Sequence, residues 1–150
     1  MRYHFTHADR LHGRRAFAAV FDAKVRKNAG PLLVFTRPNG LPHHRLGLSV
    51  GRRVGNAVAR SRTKRLIREA FRLTRHTWPV LGVNPEDVAT IGSGGGGHSG
   101  GGGGGGGLDI VVAVRPHGTL TLDEIQRYLF SGVTAAGRTW EKRRRNADET

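Results

Sequence analysis

The sequence predicts a single α+β domain, a small sheet with helices packed against it, and three observations lead there. Short apolar runs with strand periodicity alternate with amphipathic stretches, in the order helix, strands, helix, strand, helix. One late run is apolar almost throughout, as in a strand covered on both faces. At 150 residues the chain fits one domain with one modest core, since domains commonly run to about 100–150 residues.

Each element has a local reason. The segment Arg10–Phe21 places Leu11, Phe17, Val20 and Phe21 at near-helical spacing, and Asp9 stands where it can cap the first turn. Leu32–Arg37 is a β-rich run that stops at Pro38-Asn39-Gly40, a turn signal. His44–Arg53 then alternates, with Leu46, Leu48 and Val50 on one side of the pleat. These two runs predict adjacent, antiparallel strands. Gly55-Asn56 makes a turn, and Asn56 can cap a helix from Ala57 to Arg75. Leu108–Arg115 is the run expected to be covered on both faces, and Pro116 ends it. Thr121 followed by Glu124 is a capping box, after which Ile125, Tyr128, Leu129, Val133 and Ala136 trace one face of a final helix.

Two segments fall outside this scheme. Between Ile91 and Leu108 the chain is almost entirely Gly, which cannot bury enough apolar surface to offset its ordering entropy, so a flexible insertion is expected at about 78–107. A phosphate-cradling loop is excluded there, because no Gly-Lys-Ser/Thr follows and a strand begins where such a loop needs a helix. Beyond a domain spanning 1–140, residues 141–150 carry Lys142, Arg143, Arg144 and Arg145 and no apolar face, and read as a disordered basic tail.

Composition narrows the function. Lys and Arg number 25 against 11 Asp and Glu, a formal net charge of +14. A surface so charged repels itself unless an anion lies against it, which points to a polyanionic partner. No stretch approaches the roughly 20 apolar residues of a membrane span, and no signal-peptide core opens the chain. A cytoplasmic protein without a membrane partner is expected. Cys is absent, which excludes disulfides, thiol nucleophiles and Cys-ligated zinc. The eight His follow no metal-ligand spacing, and most are expected at positions exposed or facing that polyanionic partner. The carboxylates are scattered, so the protein itself is expected to supply neither a catalytic group nor a metal ligand.

The most informative feature is the helix after Asn56. At about 100° per residue, Ala59, Thr63, Leu66, Ile67, Ala70, Phe71 and Leu73 share one arc. Arg60, Ser61, Lys64, Arg65, Arg68, Arg72 and Arg75 share the opposite one. Solvated helix faces normally intersperse acids with bases, yet here only Glu69 offers an acid. Arg60 to Lys64, Lys64 to Arg68 and Arg68 to Arg72 are like-charge i,i+4 pairs. A row of phosphates reverses the sign of these penalties, through charge-assisted hydrogen bonds and counterion release. Arg52 and Arg53 extend the same patch.

The stretch RLGLSVGRRVGNAVARSRTKRLIREAFR, over Arg45–Arg72, resembles the signature of the bacterial ribonuclease P protein component. Upstream, RLHGRRAFAAVFDAKVRKNAGPLLVFTR is similar to that family's first helix and strand. Downstream, LDIVVAVRP and TLDEIQRYLF are similar to its last strand and helix. Two departures stand out. The family's Arg-Asn-Arg is here Arg60-Ser61-Arg62, which replaces an amide by a shorter hydroxyl, and the insertion near 78–107 stands where the family has a short loop.

The resemblance implies a two-layer α/β sandwich like the second domain of ribosomal protein S5. It also implies a division of labour in which an RNA subunit hydrolyses precursor tRNA with Mg2+ and releases the 5′ leader, while the protein alone is inactive. Arg52, Arg53, Arg60, Ser61, Arg62, Lys64, Arg65, Arg68 and Arg72 would contact the RNA subunit. Phe17, Phe21 and Phe35 match the family's leader cleft, where aromatic faces stack on unpaired bases. The alternative for these three is ordinary core packing. Rival functions are a structural rRNA-binding ribosomal protein and a nuclease acting alone.

Overall fold

The computed structural model describes residues 5–78 and 106–149. Among the described residues, three α-helices, α1 (Arg14–Asp22), α2 (Ala57–Thr74) and α3 (Leu122–Asp148), accompany four strands, β1 (Val25–Ala29), β2 (Leu32–Pro38), β3 (Arg45–Ser49) and β4 (Leu108–Val114). The strands form one sheet in the order β1-β2-β4-β3, with β1 and β4 antiparallel to β2, and β3 parallel to β4. This is the expected α+β class in a single domain.

β4 therefore corrects one expectation: β2 and β3 run in opposite directions but are not neighbours, because β4 lies between them. The reason is composition. β4 has a side chain to bury on both faces, with Ile110 and Val112 in the larger core and Val111 in the smaller one. Only a central position covers both.

α2 and α3 pack on one face of the sheet, around Leu32, Val34, Leu46, Ile67, Phe71 and Leu129. α1 covers β2 and β4 on the other face, where Leu11, Val20 and Val111 are buried with Phe17 and Phe35 against them. Asn56 caps α2 as expected, its Oδ1 accepting from Ala59 N at 2.9 Å. Thr121 Oγ1 accepts from Glu124 N at 3.2 Å at the start of α3.

Four further features depart from or add to the sequence reading. A helix does not begin at Arg10: α1 starts at Arg14 after Gly13, and Asp9 closes a separate 3-10 turn, accepting from Thr6 N at 2.7 Å and Thr6 Oγ1 at 3.0 Å. A strand unforeseen from sequence, β1, forms the sheet edge. His44 is not exposed but 5% accessible, with Nδ1 accepting from Leu108 N at 3.0 Å. The basic tail is helical, since α3 continues to Asp148.

The Gly-rich insertion expected at about 78–107 lies, apart from its flanks, outside the described residues. Its flanks are anchored. Trp78 is buried against Phe71, and Gly107 exchanges backbone bonds with Asn39 and Leu41. A Cβ at Gly107 would fall 2.1 Å from His43 O, so only glycine fits where the chain enters β4.

Candidate nucleic-acid interface

α2 divides its two faces as the periodicity predicts. Thr63, Ile67, Ala70 and Phe71 are buried, and Thr63 satisfies its hydroxyl on Ala59 O at 3.0 Å. Ser61, Arg62 and Arg65 are exposed; Arg60, Lys64, Arg68 and Arg72 are partly covered. Arg52 and Arg53 are exposed on a 3-10 turn leading into the helix. All nine residues expected to contact RNA thus lie on one helix and its lead-in turn.

The cations do not form one uniform stripe. Lys64 and Arg68 lean toward the sheet and line a groove of about 180 Å³ that Phe17 also lines. Arg62 leans the other way, beside a cavity of about 320 Å³ lined by Val58, Leu66, His117 and Ile125 among others. Ser61 and Arg65 line neither and form the crest. Arg72 is committed to the one acid of the face, its Nε donating to Glu69 Oε2 at 3.0 Å. That bond holds the Glu69 carboxyl below its usual range and raises the Arg72 guanidinium.

The groove was only half legible from sequence. Its second wall is the N-terminal arm, through Phe5, Arg10 and His12. The arm is held by an ion pair of 2.7 Å between Asp9 and Arg75 at the end of α2. Burial tends to raise the Asp9 carboxyl, but the hydrogen bonds from Arg75 and Thr6 prevail and keep it below the ordinary value. Phe5 stacks edge-on against Phe71, with ring centroids 5.6 Å apart, and the Arg10 guanidinium stands over Phe5 at 5.5 Å. Burial, with Arg10 nearby, lowers the Arg68 guanidinium from its ordinary value. No carboxylate lines the groove, so its cations remain available to an anion. No local pattern marks Phe5, Arg10 and His12, because a tertiary ion pair brings them here.

The three aromatic residues fall on one side of the sheet. Phe17 and Phe35 are half-buried in the smaller core, while Phe21 is 38% exposed. Phe21 and Phe35 meet edge to face at 4.7 Å. Phe17 both packs on that core and lines the groove, so the core and surface alternatives hold together for it. The opening can admit a strand with flat bases and an anionic backbone, because apolar ring, glycine backbone and cations share it.

Comparisons with known proteins agree with this geometry. A family model described as Ribonuclease P matches residues 5–86. A ribonuclease P protein component of Pseudomonas aeruginosa is 48% identical over 75 residues, 49% of this chain and 56% of that relative. One of Pseudomonas putida is 44% identical over 92 residues, 60% of this chain and 67% of the relative. The aligned stretch thus spans little more than half of the first relative and two thirds of the second. Among solved structures, the Staphylococcus aureus RNase P protein is similar with a TM-score of 0.59 and 26% identity, over 85% of this chain and 94% of that one. The RNase P protein from Thermotoga maritima shares the fold at a TM-score of 0.61 and 24% identity, over 84% and 96%. With the matched stretch running from the N-terminal arm through the whole of α2, the chain belongs to the ribonuclease P protein family.

Proposed function

We propose that this chain is the protein subunit of ribonuclease P. It binds the catalytic RNA subunit and the 5′ leader of precursor tRNA, and so assists endonucleolytic removal of the leader. The observation that carries the reading is the groove where Phe17 meets Lys64 and Arg68. One RNA strand in that groove touches aromatic surface and cations together.

The residues then have distinct tasks, which overlap at Lys64 and Arg68, where the groove lined by Phe17 meets the α2 cations. Arg52, Arg53, Arg60, Ser61, Arg62, Lys64, Arg65, Arg68 and Arg72 face phosphates and grooves of the RNA subunit, where Arg makes bidentate contacts and Lys acts as a point charge. Phe17, Phe21 and Phe35 hold unpaired leader bases, at about 1–3 kcal/mol per stacked base. Mg2+ bound by the RNA subunit supplies the hydrolytic chemistry. The protein binds and orients, and has no activity alone. No described helix is long and apolar enough to cross a membrane, and the reading places the protein in the cytoplasm with its RNA.

Single-turnover cleavage of a precursor tRNA at low Mg2+ by the cognate RNA subunit, with and without the protein, tests this. Stimulated cleavage at the mature 5′ end, lost in Arg60→Ala/Arg68→Ala, is the expected result. Tight RNA binding without stimulation would favour the ribosomal alternative, and cleavage by the protein without RNA the nuclease alternative.

A further inference from the structure

A second concentration of charge lies outside that interface, at the far end of α3. The helix holds the core through Ile125, Leu129, Val133 and Ala136, all fully buried. Its last anchor is Trp140, whose Nε1 donates to Thr36 Oγ1 at 2.9 Å. The helix nevertheless runs on to Asp148. It outreaches the core by about two turns, or roughly 12 Å at 1.5 Å per residue. Residues 142–147 are all exposed.

Four consecutive cations, Lys142, Arg143, Arg144 and Arg145, fill the first of these turns. Side chains step by about 100° along an α-helix, so four in a row surround it with positive charge instead of lining one face. A helix that docks on protein keeps an apolar stripe. Past Trp140 this one has none.

Helix-dipole compensation does not account for the cluster. That effect is confined to the last turn, where only Arg145 of the four stands, beside the acids Asp148 and Glu149 that follow in the sequence. Nor does internal pairing, since the acids within four residues, Glu141, Asp148 and Glu149, are fewer than the four adjacent cations, and none lies within four residues of Lys142 and Arg143 except Glu141. The Arg143 guanidinium stands over the Trp140 ring at 5.1 Å, which ties the start of the charged turn to the body of the protein. The segment extends a helix already nucleated and packed, so its backbone is supported, but its four adjacent cations repel one another along it. A partner that supplies negative charge on several sides would hold it.

We propose that the last two turns of α3 form a second RNA-contact element, which inserts into a groove of the folded RNA subunit. A duplex groove has a row of phosphates along each wall, and that arrangement matches cations all around a helix. The proposal rests on the reading of this protein as an RNA-binding subunit. It adds a contact surface separate from α2, and predicts that the two contribute independently to the counterions released on binding.

Equilibrium binding of the full chain to its cognate RNA subunit across a salt series tests it. The variant Lys142→Gln/Arg143→Gln/Arg144→Gln/Arg145→Gln removes the charge but keeps good helix formers. The slope of log affinity against log salt should become shallower by roughly 3, at about 0.7–0.9 per lost phosphate contact. Arg143→Lys/Arg144→Lys/Arg145→Lys should keep the original slope, which separates loss of charge from loss of helix. An unchanged slope in the Gln variant overturns the proposal. Arg62→Ala/Arg65→Ala on α2 serves as reference. If the α2 variant flattens the slope and the α3 variant does not, only this inference falls; if neither does, the RNA-binding reading falls with it.

Discussion

Phe17 lies against the backbone of Gly47, so closely that a Cβ at position 47 would come within 2.6 Å of Phe17 Cζ. The bare backbone of β3 is what lets the ring settle into the groove. Gly47→Ala is expected to push the ring outward and to cost about 1–3 kcal/mol of stability through overpacking. Thermal unfolding reads the first effect. Affinity for precursor tRNA relative to leaderless tRNA reads the second, and an undiminished preference for the leader would remove Phe17 from the leader site.

His44 makes the fold sensitive to acid. Burial, with His43 and Arg75 nearby, lowers its pKa to about 4 from the ordinary 6.5. The unfolded chain therefore takes up this proton first as pH falls. Stability from His44 is complete above about 6.5 and declines between there and about 4, by up to about 3 kcal/mol in all. His44→Asn keeps an acceptor for Leu108 N but does not titrate, so denaturant midpoints for it should be flat across that window. A variant as acid-sensitive as the parent would refute this.

Asp9 acts lower on the scale. Its carboxyl is held below the ordinary value, so its contribution is present above about pH 4 and lost only as pH falls further. Asp9→Asn should flatten that lowest portion of the stability profile and loosen the N-terminal arm. Faster proteolysis ahead of Arg14, with α2 unaffected, is the expected signature.

Arg45 and Asp109 clasp the start of β4 to β3 through two bonds of 2.7 Å, and Asn39 adds a third to the same carboxylate at 3.0 Å. The two ends are unequal, since the Asp109 side chain is 3% exposed and that of Arg45 32%. Removing Arg45 strands a buried charge, at about 3–5 kcal/mol. Removing Asp109 frees a guanidinium that reaches water. Arg45→Met should therefore destabilise more than Asp109→Asn in denaturant titrations, and the reverse order would contradict this account.

These dependencies show what the sequence could and could not reveal. Caps at Asn56 and Thr121, and the two-sided burial of β4, were legible because each depends on neighbours within a few residues. The place of β4 between β2 and β3 was not, since strand order is set by contacts distant in sequence. β1 escaped notice because only Val25 and Ala29 of its five residues are buried, and the exposed Arg26 suits an edge strand better than a core one. The end of α3 read as disordered because it has no apolar face, although Arg, Lys and Ala are good helix formers. Of the site, the α2 cations and the aromatics were visible, but the wall formed by Phe5 and Arg10 depends on Asp9 reaching Arg75.

The division of the α2 cations leads to a test by double-mutant cycle. Arg68 and Phe17 line one groove; Arg65 stands on the exposed crest and lines neither cavity. Residues that share a partner couple by about 0.5–3 kcal/mol, whereas independent ones add. Phe17→Ala and Arg68→Ala should therefore be non-additive in affinity for precursor tRNA, because either loss releases the same strand. Phe17→Ala and Arg65→Ala should add, and Arg65→Ala should weaken binding equally with and without a leader. Coupling of Phe17 to Arg65 but not to Arg68 would mean that the leader crosses the crest of α2 instead of entering the groove.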